Sequence, residues 1–231
     1  MRRLTASVGA LVAAISLASC GGGLQPVDPG QALRDASAAK AKLKTLSANL
    51  KFTEGTISFQ GFALAGAKAS VRLPSDSDTT YTVKQQDIAF SIEVVITNGH
   101  VYLLVPFSPL SELTATQAAA IPDVAKLFDL KTGLPAVIPA GRNLKYVSVE
   151  QVDGVDSHKI DATYSPAQVH GMLPQLTSAG DVSAVIWVGG SDHLIRKAIL
   201  TGPFGDKGVT SRVEVDLSAF NGAVSITSPS P

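Results

Sequence analysis

Ile88-Ala89-Phe90-Ser91-Ile92-Glu93-Val94-Val95-Ile96-Thr97-Asn98-Gly99-His100-Val101-Tyr102-Leu103-Leu104-Val105 is the stretch whose reading decides the fold class. Ile88, Phe90, Ile92, Val94 and Ile96 occupy alternate positions, so a strand here carries apolar side chains along one whole face. Asn98-Gly99 then supplies residues that tolerate the positive φ angles of a two-residue hairpin turn. That turn sets the register: Ile96 faces Val101, Val94 faces Leu103 and Ile92 faces Val105. A hairpin with one continuous dry face must lie against a second layer.

Working outward, strand patterns recur on both sides. Upstream they cover residues 47–53, 56–63, 66–73 and 79–86, separated by Gly-rich or Pro-Ser-Asp turns. Downstream, residues 144–152 and 155–164 flank Asp153-Gly154, a second hairpin turn that sets Val147 opposite Ile160 and Val149 opposite His158. Further strands fall near 182–189, 194–201, 209–217 and 223–227. In one of them Arg212, Glu214 and Asp216 alternate with Val213, Val215 and Leu217, a wet face against a dry one.

Helices are few. Asp28 as cap, Pro29 at the first helical position and Gln31 as the capping-box partner open a helix of about 16 residues. Its apolar stripe is Leu33, Ala36, Ala39, Leu43 and Leu46, with Lys40, Lys42 and Lys44 read as a solvated face. Residues 106–142 break the strand pattern: Thr114 and Gln117 form a capping box, residues 123–128 a second short helix, and Pro122, Pro135 and Pro139 keep helices short. Leu127, Phe128, Leu134, Val137 and Ile138 make this segment apolar enough to require a sheet face beneath it. Ser165-Pro166-Ala167-Gln168 opens one more helix, whose Val169, Met172 and Leu173 share a side. The fold class is α+β, mainly β: a large antiparallel sheet of about ten or eleven strands that curls, with short helices in its hollow and an apolar cavity between the layers.

The N-terminus bears on compartment. Arg2 and Arg3 precede residues 4–18, an apolar run without acidic residues and shorter than the about 20 residues needed to cross a bilayer. Leu17-Ala18-Ser19-Cys20 fits the bacterial lipobox, in which the cysteine is acylated and becomes the mature N-terminus. Multiple acyl chains anchor stably where one is marginal. The expected layout is a lipoprotein signal peptide at 1–19, lipidated Cys20 with a flexible tether to residue 30, one domain over 31–227 and a tail at 228–231. The mature chain is then held at the cell membrane on its extracytoplasmic side.

Several function classes are disfavoured. Without Arg2 and Arg3, an even balance of 19 basic and 19 acidic side chains becomes slightly acidic, which does not suit nucleic acid. Cys20 is the only cysteine, so acylation leaves no disulfide. His100, His158, His170 and His193 lack metal-ligand spacing, and neither a Gly-x-Ser-x-Gly elbow nor a phosphate-cradling glycine loop is present. Ser191-Asp192-His193 reads as turn residues. No metal, no cofactor and no catalysis are expected.

The lipobox, the Val152-Asp153-Gly154-Val155 hairpin leading into Lys159-Ile160-Asp161-Ala162, and the Trp187-Val188 strand before Leu194-Ile195-Arg196-Lys197 carry a family likeness. So do Asp216-Leu217-Ser218-Ala219-Phe220-Asn221, Val224-Ser225-Ile226, and the segment from Phe128-Asp129 to Gly133-Leu134. Together these resemble the LppX/LprG (LprAFG) lipoproteins of actinobacteria. The resemblance implies a half-barrel related to the Lol-type carriers, whose cavity accepts acylated lipids or glycolipids and which carries them across the envelope. A monomer is expected. Candidate cavity residues are Phe90, Ile92, Val94, Val101, Leu103, Leu127, Val137, Val147, Ile160 and Trp187. Packing in a solid core is the commoner fate of a lone Trp such as Trp187, and the row Phe90, Ile92, Val94, Val101 and Leu103 carries the same ambiguity, since core and cavity are both dry. The rival functions are a structural or protein-interaction lipoprotein without a lipid ligand, and an envelope hydrolase.

Overall fold

The computed structural model describes residues 23–86, 88–172, 176–205 and 208–229; the signal segment, Cys20 and Leu173 lie outside them. Helix α1 (Pro29–Lys40) opens as its caps require, with the Asp28 carboxylate accepting from the Gln31 amide at 2.7 Å. The reciprocal half of that box is replaced, because the Gln31 side chain turns to Asp35 and Arg34. The helix stops at Lys40, and Leu43 and Leu46 belong to the turn and strand that follow.

Among the described residues, twelve antiparallel strands form one open sheet. They are β1 (Thr45–Glu54), β2 (Ser58–Phe59), β3 (Phe62–Arg72), β4 (Asp76–Gln85), β5 (Ile88–Thr97), β6 (His100–Leu104), β7 (Ser111–Glu112), β8 (Arg142–Val152), β9 (Val155–Tyr164), β10 (Val182–Gly189), β11 (Ile195–Gly202) and β12 (Ser211–Ser218). Their order is β7-β6-β5-β4-β3-β1-β12-β11-β10-β9-β8, with β2 beside β3 off this path. Two meanders therefore meet at β1, which pairs β3 on one side and β12 on the other. The edges, β7 and β8, do not pair.

That order dictates the second layer. β7 and β8 are consecutive in the chain yet sit at opposite edges, so residues 113–141 must cross the sheet to join them. The crossing contains α2 (Ala115–Ala118), a 3-10 turn at Val124–Phe128, α3 (Leu134–Val137) and a 3-10 turn at Ile138–Ala140. Thr114 and Gln117 form the expected capping box, and Asp123 caps the first 3-10 turn. α1 packs against α3, the second 3-10 turn, β8 and β10, while the first 3-10 turn packs on β3 and β4. α4 (Pro166–Met172) begins with the Ser165–Gln168 box.

Register follows the turns where no extra residue intervenes. Ile96 pairs Val101 and Val94 pairs Leu103 across Asn98-Gly99, both at positive φ. The ladder ends at Glu93–Leu104, before Ile92 and Val105 can pair. In the second hairpin Val149 does pair His158, but a bulge between Tyr146 and Ser148 gives Ile160 Tyr146 as its partner. The extra residue is Val147, which leaves the ladder and is 41% exposed. Gln60-Gly61, both at positive φ, makes the turn before β3, so Phe62–Arg72 is one strand with a bulge between Leu64 and Gly66. Residues 222–229 form no strand, although Ile226 is buried.

Candidate functional site

Between the concave face and its helical cover lies an apolar cavity of about 300 Å³. Its floor comes from alternate positions of the central strands: Ala48, Leu50 and Phe52 of β1, and Val213, Val215 and Leu217 of β12. Ala198 and Leu200 of β11, with Val182 and Ile186 of β10, extend it. The roof is Val124, Leu127, Phe128, Leu134, Val137 and Ile138, and α4 adds Val169 and Met172. Alternation puts every second side chain of a strand on this wall, which is why Asn49, Lys51, Glu214 and Asp216 are absent from it.

Two tyrosines tie roof to floor. The Tyr81 hydroxyl donates to the Pro122 carbonyl at 3.3 Å, and the Tyr164 hydroxyl donates to the Ile138 carbonyl at 3.0 Å. Burial pushes both phenols up; the nearby Asp123 carboxylate adds to the effect on Tyr81. Lys40 is the other polar side chain deep in this wall. It is 3% exposed, and its Nζ has no hydrogen-bond partner among the described residues. The ammonium lies 4.5 Å from the centroid of the Phe128 ring, and burial lowers its pKa to about 7. Lys40 therefore does not belong to a solvated face, and Ala36 and Lys40 lie on the buried side of α1.

A second, more open hollow of about 440 Å³ adjoins the cavity, lined by Ile57, Ser58, Leu176, Thr177, Ser178, Ala179, Pro203, Phe204, Gly205 and Gly208. Ile57, Ser58, Leu176 and Phe204 line both spaces, so the two border one another beside the loops that carry these residues.

The residues singled out from sequence are divided by the fold. Leu127 and Val137 stand on the cavity roof. Phe90, Ile92, Val94, Val101 and Leu103 instead belong to a separate packed cluster with Phe59, Leu64, Tyr81, Val83, Ile96 and Ile121. Ile160 is wholly buried in the main cluster but is not on the cavity wall. Val147 is exposed through its bulge. Trp187 lies on the convex side of β10: its Nε1 donates to Glu150 at 2.9 Å, and the Lys159 and Lys197 ammoniums sit 5.1 and 5.9 Å from its ring. Hydrogen bonds from Lys159 and Trp187 hold the Glu150 carboxyl below the ordinary carboxylate range. The wall residues not singled out from sequence, on β1, β11 and β12, carry the same alternation as the hairpin. Only their place at the centre of the sheet distinguishes them.

A curved, open antiparallel sheet that keeps an apolar hollow under short helices is a cavity-forming half-barrel. A sequence model described as LppX_LprAFG lipoprotein matches residues 28–226, and the chain belongs to that family. It is similar to the lipoarabinomannan carrier protein LprG of Mycolicibacterium hassiacum, with 29% identity over 156 residues, 67% of this chain and 64% of that protein. Its fold is that of the crystal structure of LprF from Mycobacterium bovis, with TM-score 0.68 and 18% identity over 88% of this chain and 97% of that one. The crystal structure of the Mycobacterium tuberculosis lipoprotein LppX gives TM-score 0.62 and 18% identity, covering 87% of this chain and 100% of that one. Among the described residues no helix is long and apolar enough to cross a membrane, and no group of three His, Cys, Asp or Glu side chains could hold a metal.

Proposed function

We propose that this protein is a membrane-anchored, extracytoplasmic carrier that shelters the acyl chains of a lipid or glycolipid in its cavity and moves them across the cell envelope. The observation that carries the reading is the apolar hollow between sheet and roof, bordered at Ile57, Leu176 and Phe204 by the more open hollow. Each square ångström of acyl surface taken from water there contributes roughly 25 cal/mol, so chains bind without specific polar contacts. At about 300 Å³ the cavity is at the lower end of ligand cavities, roughly 300–1,000 Å³, which favours a small number of chains. Family membership and the carrier name of the LprG relative support the same reading.

Acylation at Cys20 would supply the anchor. Leu24, four residues after Cys20, packs beside Gly190, so the anchor would hold the domain close to the membrane surface. The protein acts as a monomer and performs no chemical step on its cargo.

The test is mass spectrometry, native and after organic extraction, on a Cys20→Ser chain exported by a lipid-rich actinobacterial host. Stoichiometric lipid in the extract with a matching mass shift supports the carrier. A clean apo mass, under conditions that preserve the cargo of an established lipid carrier, would point instead to a lipoprotein whose partner is another protein.

A further inference from the structure

Lys40 is out of place in a wall made for hydrocarbon. Moving an ammonium from water into an apolar interior costs several kcal/mol unless a hydrogen-bonded counter-charge offsets it, and a buried cation without one is rare. Lys40 has two weak compensations. It sits in the last turn of α1, where the backbone carbonyls carry partial negative charge, and its ammonium faces the Phe128 ring. Neither is an acceptor aimed at Nζ, which stays unpaired among the described residues.

Of the buried polar side chains on the cavity wall, Lys40 is the one without a partner among the described residues. The hydroxyls of Tyr81 and Tyr164 are already committed to roof carbonyls. No carboxylate among the described residues forms an ion pair with Lys40, and none of their polar atoms accepts from its Nζ. A ligand bound by hydrocarbon contact would therefore meet one strong, unused donor in its binding site, which an acidic head would hold in its charged form.

Building on the carrier reading, we propose that Lys40 is a ligand-binding residue whose ammonium holds an oxyanion of the bound acyl lipid, a carboxylate or a lipid phosphate, inside the cavity. The cargo is then selected for acidity as well as for its chain. Chain length and saturation are read loosely by the apolar wall, whereas a neutral alcohol or ester of the same chain leaves Lys40 buried and unpaired.

Three probes with one chain separate the possibilities: palmitate, hexadecyl phosphate and hexadecanol, each titrated calorimetrically into the delipidated Cys20→Ser chain at pH 7. The acidic probes are expected to bind at least about tenfold tighter than hexadecanol, as a charge-assisted hydrogen bond implies. Whichever acid binds tighter identifies carboxylate or phosphate as the preferred head. Lys40→Met should abolish the preference of both acids over hexadecanol; Lys40→Gln should do the same, and Lys40→Arg should keep the preference. Circular dichroism confirms that each variant is folded. Equal affinity of wild type for all three probes, or an acid preference that survives in both Lys40→Met and Lys40→Gln, overturns the role of Lys40 while the carrier reading stands. Failure of wild type to bind any of the three overturns both.

Discussion

Two regions of this sheet, β4 to β6 toward one edge and the central strands β1 and β10 to β12, share one sequence grammar and differ in what lies above them. On β4 to β6, Ile92, Val94 and Ile96 point into a space filled by aromatic rings, with Phe59 stacked on Tyr81 at 4.2 Å and Phe62 edge-on to Phe90 at 4.9 Å. On β1 and β10 to β12, the same alternation presents Ala48, Ala198, Val213 and Val215 to a roof that stands clear of them. Phe59 and Tyr81 line the cavity as well as closing the cluster, so they form the wall between a solid half and a hollow one. The lesson concerns volume rather than pattern. A dry face becomes core or container according to the size of its side chains and the height of its cover.

The largest effect that could break this contrast is on stability. Ile92→Ala, in the solid half, should lower the unfolding free energy by about 3–4 kcal/mol, since it opens a void in close packing. Leu200→Ala, on the hollow side, should cost about half of that or less, because its side chain already faces space. Urea denaturation of the lipid-free chains measures both. Equal losses would mean that the hollow is as tightly packed as the cluster.

Next comes the cation in the hollow. A lysine whose folded pKa is about 7 against an ordinary 10.5 binds fewer protons folded than unfolded across that interval. Stability should therefore rise with pH from about 7 toward 10.5, and the destabilisation should be complete below about 7. Lys40→Met should remove this rise and stabilise the lipid-free protein at pH 7 by an amount on the order of a few kcal/mol. Comparing the variant with wild type cancels the other titrations. Tyr81 and Tyr164, held protonated by burial, reduce stability above the ordinary phenol range, and His158, lowered mainly by burial, adds stability as pH rises through the imidazole range. Thermal melts from pH 6 to 10 would show it; superimposable profiles would place Lys40 in water.

Two smaller effects sharpen the picture. Ala198→Trp fills the floor of the hollow and should cut lipid recovered on extraction by about tenfold while the fold persists. The matching insertion in the solid half, Val94→Trp, should destabilise by about 1–3 kcal/mol and leave lipid recovery per folded molecule unchanged. Trp187→Phe, on the convex side, should cost about 1 kcal/mol through its lost bond to Glu150 and leave lipid binding unaltered. A lipid-dependent change in Trp187 fluorescence of the parent chain would contradict its placement away from the cavity.

Much of this was legible from local chemistry. Asn98-Gly99 and Asp153-Gly154 named their hairpins, because few residue pairs accept two positive φ angles. Thr114 with Gln117 and Ser165 with Gln168 announced helix starts through side chains that satisfy free backbone groups. Lys40 could have been noticed, since it follows Leu33 by seven residues and so returns to the same side of α1. Val147 could not, because nothing in residues 142–152 marks where the ladder takes up its extra residue.

By itself the sequence determined the α+β class, the two hairpins, the helix starts and the family, because each depends on contacts between near neighbours or on motifs carried in order. Tertiary structure alone decided that β1 joins the two meanders, that residues 113–141 cross the hollow, and that Leu50, Ala198 and Val215 line it while Ile92 and Val94 do not. Alternation reports only that a face is dry. Whether that face meets packed side chains or space depends on residues far away in the chain, whose positions no local pattern encodes.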